Sequence, residues 1–323
     1  MAIRRAIKKA ANASNILLTE AFGDFVSEKE ATNKSKATIN SYKKTFQKWC
    51  DYYGEEVEAN EVTQSLFFQW SNSMKQDGIR PASINHYLRD LRTFMNWCMD
   101  SSREYVPRFQ VVMVEEREEV PKFYDEQEQE LLIQKPDRNA DYPDWRMWAI
   151  CNFILATGCR TSTLIEVRLG DLDFNGKKIT YQHTKSKRAQ IVPMSTTLRN
   201  VLKEYIRIWR SQAGEEGYLF ANIGENKLTP DALRNAFRKY CIKRGVSKTS
   251  IHGLRHTFAR QWVLNDGSMI GLQKMLGHST LEMTRKYIKL FADDMADDFD
   301  DYNPLDNLKR SAQRRKNVVR SDD

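Results

Sequence analysis

Apolar residues recur three and four positions apart through the first hundred residues, and they predict four amphipathic helices between 16 and 101. The first carries Leu17, Leu18, Ala21, Phe22, Phe25 and Val26. The second carries Ile39, Tyr42, Phe46, Trp49, Cys50 and Tyr53, with Gly54 placed to stop it. Leu66, Phe67, Trp70 and Met74 mark a third, opened by Thr63 and ended at Gly78. Ile84, Tyr87, Leu88, Leu91, Phe94, Met95 and Cys98 mark the fourth. Aromatic stripes at this spacing are core. The period then breaks. Pro107, Pro121 and the acidic run over 115–119 read as a linker, although alternation of Val and Glu also fits a strand.

The pattern resumes near Lys122. Asp125 is placed to cap a helix through Leu131 and Leu132. Residues 145–155 are almost all apolar, so that helix should be buried on every side. It ends at Thr157-Gly158, and Arg160 follows at once. An arginine just beyond a buried helix is costly unless it meets an anion, whether an internal carboxylate or a ligand. Residues 167–174, 178–182 and 190–193 read as strands, the last two forming a hairpin whose turn over 184–188 is cationic. Residues 198–209 form another amphipathic helix. Thr229 then caps a helix with Pro230 at its first position. Leu233, Phe237, Tyr240 and Cys241 make its apolar stripe, and Arg234, Asn235, Arg238 and Lys239 make another face. The expected class is therefore mainly α, with a small β-sheet or hairpin in the second half.

Composition adds a partner. The 323 residues are 41% hydrophobic and 29% charged, as in an ordinary soluble protein large enough for two cores. The net charge is +8, and its placement says more than its size. From 177 to 260 there are 18 Lys and Arg against 5 Asp and Glu, so the remainder is net acidic. A basic region so concentrated suggests a polyanion; a solvated basic face is the plainer alternative. The 5 cysteines are scattered without metal spacing, which fits buried thiols in a reducing compartment. No apolar run is long enough to span a membrane. The basic, Ala-rich 1–13 segment leads into no apolar core, so it reads as a cytoplasmic start.

The chemistry is concentrated between Ile251 and Tyr287. His252, Arg255 and His256 come first, then Gly277-His278, then Tyr287 nine residues after His278. Arginine is a planar fork for two phosphate oxygens, histidine moves protons near neutral pH, and a tyrosine hydroxyl can be a covalent nucleophile. Together they suit a phosphodiester handled without metal or other cofactor. His252 and His256, four apart, also have the spacing of a zinc pair, but no Glu follows His252 as in that motif.

These residues, with Thr157-Gly158-Cys159-Arg160 upstream, resemble the tyrosine recombinases, the phage-integrase and Xer-type site-specific recombinases. The family pattern is an Arg after Thr-Gly, a hairpin Lys, His-x-x-Arg, Gly-His and then the Tyr; all stand here in order. The resemblance implies a two-domain DNA clamp: a helical core-binding domain at 15–103 and a mixed α+β catalytic domain at 122–289. A basic segment at 1–14 precedes them, a linker at 104–121 joins them, and a tail at 290–323 follows. It implies that Arg160 and Arg255 bind the scissile phosphate. Tyr287 attacks to leave a 3′-phosphotyrosine. Lys185, with Lys187 the alternative, protonates the leaving 5′-oxygen. His252 acts as base or hydrogen-bond partner, and His278 donates to phosphate. Lys43, Lys44, Arg89 and Arg92 would contact backbone phosphates of double-stranded DNA. Lys187, Arg188, Arg234, Asn235, Arg238 and Lys239 would contact DNA from the second domain. The chain departs from the family at Thr163, where a Glu or Asp is usual; Thr163 itself, or Glu166, would have to serve.

A homotetramer on DNA is implied, monomeric when free, with residues 290–305 docking on a neighbouring protomer. The acid-then-basic tail favours a mobile-element integrase over a chromosome-dimer resolvase. Two rivals are a type IB topoisomerase, which has a similar site, and a catalytically silent DNA-binding regulator.

Overall fold

The computed structural model describes residues 16–116, 122–182 and 189–291. The chain divides into two compact units, with the division between Glu119 and Val120. In the first unit, α1 (Leu18–Ala31), α2 (Lys36–Tyr53), α3 (Gln64–Gln76) and α4 (Pro81–Cys98) bury the four stripes read from the sequence. Ser35 caps α2 through the Thr38 amide, and Gly54 ends it at φ 90°. The core is aromatic: the Phe22 and Phe46 rings stack at 3.9 Å, and Phe94 meets Phe22 edge-on at 5.1 Å.

The stretch read as a linker is not free of this unit. Val106 and Val111 are buried in the helical core. The buried Asn85 on α4 accepts from the Val114 amide and donates to the Val114 carbonyl, both at 2.8 Å. One side chain thus satisfies both backbone polar groups of Val114. Helical periodicity did not reveal this, because the segment packs by isolated valines and a side-chain amide.

In the second unit, α5 (Glu126–Ile133) opens with a capping box between Asp125 and Glu128. Helix α6 (Tyr142–Thr157) is the axis of the core, buried on nearly every face and packed against α5, α8, α9 and α10, whose ranges follow. A four-residue α7 (Thr161–Leu164) comes next. The sheet is antiparallel in the order β1 (Leu172–Asp173), β2 (Lys178–Tyr181), β3 (Gln190–Pro193), with Ile179 opposite Val192. The strand expected over 167–174 shrinks to β1, because Leu169–Asp171 turns as a 3-10 helix. That turn is pinned by bonds from the Leu169 and Gly170 amides to the 215–217 loop. Helix α8 (Thr196–Tyr205) runs into a wider π turn at Ile206–Arg210. Then come α9 (Pro230–Lys243), α10 (Ile251–Leu264), α11 (Met269–Leu276) and α12 (Glu282–Phe291). Thr229 caps α9 and Ser250 caps α10, each through a side-chain oxygen. All five cysteines are buried and free. Among the described residues no helix is long and apolar enough to cross a membrane.

Candidate active site

Helix α6 ends because Gly158 adopts the left-handed conformation, φ 61°, and returns its amide to Ile154. The turn has no room for a side chain: a Cβ there would lie 2.3 Å from the Phe258 ring and 2.9 Å from Leu276. Gly158 is thus where the end of α6, helix α10 and helix α11 meet. The chain leaves it extended, which puts Arg160 half-buried at the start of α7. Its Nη1 donates to the Gly277 carbonyl at 3.2 Å. Gly277 is itself left-handed, at φ 59°, and ends α11.

Arg255 projects from α10 into the same corner and is 3% exposed. Its Nη1 donates to the Gly158 carbonyl at 2.6 Å, and its Nη2 donates to the Leu276 carbonyl at 2.9 Å. Nη2 also donates to His278 Nε2 at 3.0 Å. A guanidinium only donates, so His278 Nε2 is the acceptor. The proton of that imidazole then sits on Nδ1, which meets Thr284 Oγ1 at 2.9 Å. Tyr287, on α12, is 7% exposed. Its hydroxyl lies 3.0 Å from His256 Nδ1, and its ring stacks on that of His278 at 6.4 Å. His252 reaches the cluster through its neighbour, crossing the His256 ring edge-on at 4.6 Å.

The electrostatics are dominated by two partly or wholly buried arginines. Burial lowers the pKa of Arg160 and of Arg255. The charge of Arg160 lowers Arg255 further, to about 10. Among the described residues no carboxylate pairs with either. Glu166 instead pairs with Lys227, and buried Thr163 gives its amide to the Arg160 carbonyl at 3.0 Å. Burial, then Arg255 and Arg160, lower the pKa of His278 to about 4. Burial, then His252 and Arg255, do the same to His256, to about 4. His252 is exposed on α10 and is lowered for the same reasons: partial burial, then the two arginines. Burial raises the pKa of Tyr287, against the arginines, which lower it.

A stability prediction follows from the histidines. Their folded pKa values lie below the ordinary 6.5, so the unfolded chain takes up protons that the folded chain refuses. Stability should hold above about pH 6.5 and decline as pH falls toward about 4. The paired change of His256→Asn and His278→Asn should flatten the slope of the melting temperature between about pH 6.5 and 5, above the carboxylate range. An unchanged slope in that window would show that these rings do not carry it.

The base of the hairpin belongs to the same corner. Gln190, at the start of β3, donates from Nε2 to the Lys274 carbonyl at 2.6 Å and to the Met275 carbonyl at 3.2 Å. Tyr181, at the end of β2, is buried beside Cys159. Lys185, Lys187 and Arg188 lie between them, outside the described residues. The 1–15 and 292–323 segments lie outside as well. Arg160, Arg255, His278 and Tyr287 are thus brought together directly, and His252 indirectly. His256, Thr284 and Gln190 join them without having been expected there. His256 was visible only as the zinc-spaced neighbour of His252; among the described residues no third metal ligand joins the pair. Nothing in the sequence marked Thr284 or Gln190.

Residues 122–293 match the profile described as the phage integrase family, which is more than half of the chain. The chain belongs to the phage integrase family. It is accordingly a tyrosine recombinase, a site-specific recombinase that works on DNA. Among curated relatives, the tyrosine recombinase XerC of Staphylococcus aureus (strain USA300 / TCH1516) is 26% identical over 265 residues, covering 79% of this chain and 86% of XerC. Among solved structures, the Tn1549 transposon integrase in complex with a circular intermediate DNA has a TM-score of 0.71 at 19% identity, covering 84% of this chain and 95% of that one. A lambda integrase dimer bound to a core site has a TM-score of 0.69 at 15% identity, with the same coverage. These two likenesses establish the fold.

Proposed function

We propose that the chain cleaves and rejoins DNA through a 3′-phosphotyrosine on Tyr287. The observation that carries this reading is the pair of arginines. Two partly or wholly buried guanidiniums meet no carboxylate among the described residues and stand beside a tyrosine hydroxyl. A scissile phosphate is an anion that such a pair can bind, and its charge is greatest in the pentacoordinate transition state, where fixed donors act most strongly. Arg160 and Arg255 hold its non-bridging oxygens. His278, freed from Arg255 as that guanidinium turns to phosphate, contributes a donor from Nε2 once its proton shifts there from Nδ1, with the Thr284 hydroxyl then donating to Nδ1. His252 lines the approach. Lys185, with Lys187 the alternative, protonates the leaving 5′-oxygen; the anchoring of both hairpin strands at this corner supports that role.

DNA is gripped by both units in this reading. On the first, Lys43, Lys44, Arg89 and Arg92 are exposed, and Lys43 lines a hollow of about 450 Å³ with Lys34 and Lys36. On the second, Arg234, Asn235, Arg238 and His252 line one cleft of about 330 Å³, so the exposed face of α9 continues into the site. Lys239 is exposed on the same helix. The ion pairs Lys43–Glu30 and Arg234–Asp231 are exposed, worth about 0–1 kcal/mol each, and yield readily to phosphates. One duplex takes two protomers and exchange takes two duplexes, hence a tetramer, with 290–305 docking on the next protomer. The lambda integrase tetramer on a Holliday junction is a precedent within the fold. We favour integration and excision of a mobile element, on the acid-then-basic tail. The XerC relatives make chromosome-dimer resolution the second reading.

The test is a nicked suicide duplex carrying the enzyme's own crossover site, recovered by sequencing DNA that stays attached to wild type after denaturation. Wild type should form an adduct that survives denaturation and EDTA, and Tyr287→Phe should form none. Joining of two such sites separates a recombinase from a nicking-closing enzyme, which would relax supercoils without a specific site. Tight binding with no adduct from wild type would leave a silent DNA-binding protein.

A further inference from the structure

The geometry points to His256, rather than His252, as the group that takes the proton from the Tyr287 hydroxyl during cleavage and returns it during religation, an assignment that rests on the recombinase reading above. His256 Nδ1 lies 3.0 Å from Tyr287 Oη. Against its burial, the charges of Arg255 and Arg160 lower the pKa of that hydroxyl, and neither guanidinium can accept its proton. His278 does not provide an acceptor, because its Nε2 accepts from Arg255 and its Nδ1 meets Thr284. His252 meets the His256 ring edge-on at 4.6 Å. His256 Nδ1 stands within hydrogen-bond reach of the hydroxyl, and as the acceptor it carries its ring proton on Nε2.

The step balances without a co-reactant. As Tyr287 Oη attacks phosphorus, the Oη–P bond forms and the bond from phosphorus to the 5′-oxygen breaks. The phenolic proton passes to His256 Nδ1, and the leaving 5′-oxygen takes a proton from the hairpin lysine. In religation the 5′-hydroxyl attacks, and the departing tyrosine oxygen recovers its proton from Nδ1. The surroundings keep the acceptor free. Burial, His252 and Arg255 hold His256 unprotonated at neutral pH. A bound phosphate would offset the arginine charge and raise the basicity of the ring when it is needed. Without such an acceptor, burial leaves the phenol harder to ionise than a free tyrosine.

A substrate with sulfur in place of the bridging 5′-oxygen separates the two ends of the reaction, since a thiolate leaves without a proton. Single-turnover cleavage of the suicide duplex is measured with oxygen and with sulfur at that position. His256→Ala should cleave about 10²-fold or more slower than wild type on both substrates, the ordinary size of a general-base contribution. Lys185→Ala should recover on the sulfur substrate. His256→Asn, which keeps a polar atom near Nδ1 but no base, should be as slow as the alanine variant, and it serves if the alanine variant does not fold. Added imidazole should restore part of the alanine variant's rate, which a purely structural role would not allow. Three results would overturn the assignment: His256→Ala within about threefold of wild type, rescue of it by sulfur, or full activity of His256→Asn. Failure of wild type to form any adduct would instead strike the recombinase reading itself.

Discussion

Replacing Arg255 by lysine is expected to slow covalent cleavage by about 10²–10³-fold, the effect of removing one fixed donor from a developing charge. The reason is geometric. Arg255 reaches two backbone carbonyls, Gly158 and Leu276, and the His278 ring from one planar group, and its charge acts on Tyr287. Lysine keeps the charge but is a point with three donors and cannot span that fork. The cost should fall on the chemical step. Binding of the duplex and its salt dependence should change by no more than about one phosphate contact. The measurement is single-turnover adduct formation beside a salt titration of binding. Cleavage at the wild-type rate would remove Arg255 from the reacting centre. A fall in affinity equal to the fall in rate would make it an ordinary backbone contact. Stability should also drop, by about 1–3 kcal/mol for each buried carbonyl left without a donor.

The second large effect is on the fold. Gly158→Ala should destabilise the second unit by about 2–5 kcal/mol, combining about 1–2 kcal/mol for the left-handed backbone with about 1–3 kcal/mol for overpacking. The new methyl group would meet Phe258 at 2.3 Å and Leu276 at 2.9 Å, on two different helices. Neither contact is the loose end of a flexible surface chain. Gly245→Ala is the control, since its φ is 73° but nothing lies within 4 Å of an added Cβ. It should cost only the backbone share. Urea unfolding of the two variants gives the difference; equal midpoints would mean that the α6–α10–α11 corner yields. Cleavage should fail in Gly158→Ala even where the protein is folded, because the Gly158 carbonyl is an anchor of Arg255 and the turn places Arg160.

Both predictions concern a corner whose ingredients were visible in the chain and whose arrangement was not. Periodicity placed the four helices of the first unit, because each stripe is a property of one element repeating at its own pitch. Caps marked the starts of α5 and α9 through local oxygens, three residues from the amides they satisfy, whereas Thr63 opens α3 without a side-chain cap bond. The motif residues Arg160, His252, Arg255, His278 and Tyr287 were likewise legible, because their order and spacing lie along the sequence. Elsewhere local signals misled. The strand over 167–174 gave way to a 3-10 turn once the 215–217 loop claimed its amides. Within the stretch read as a linker, Val106 and Val111 pack into the helical core and Asn85 bonds Val114.

Hydrophobic pattern, capping chemistry and motif order, encoded along the chain, let the sequence by itself determine the helical class, the hairpin and the motif side chains. Only the tertiary structure decided which imidazole meets the nucleophile. His252 and His256 share α10, four residues apart, and either could have faced Tyr287, 31 residues beyond His256 on another helix. It also decided that Arg255 is held by backbone carbonyls on two chain turns, and that Glu166 is occupied by Lys227. Such choices depend on how α6, α10, α11 and α12 pack. That packing is set by contacts between residues remote in sequence, which no local pattern records.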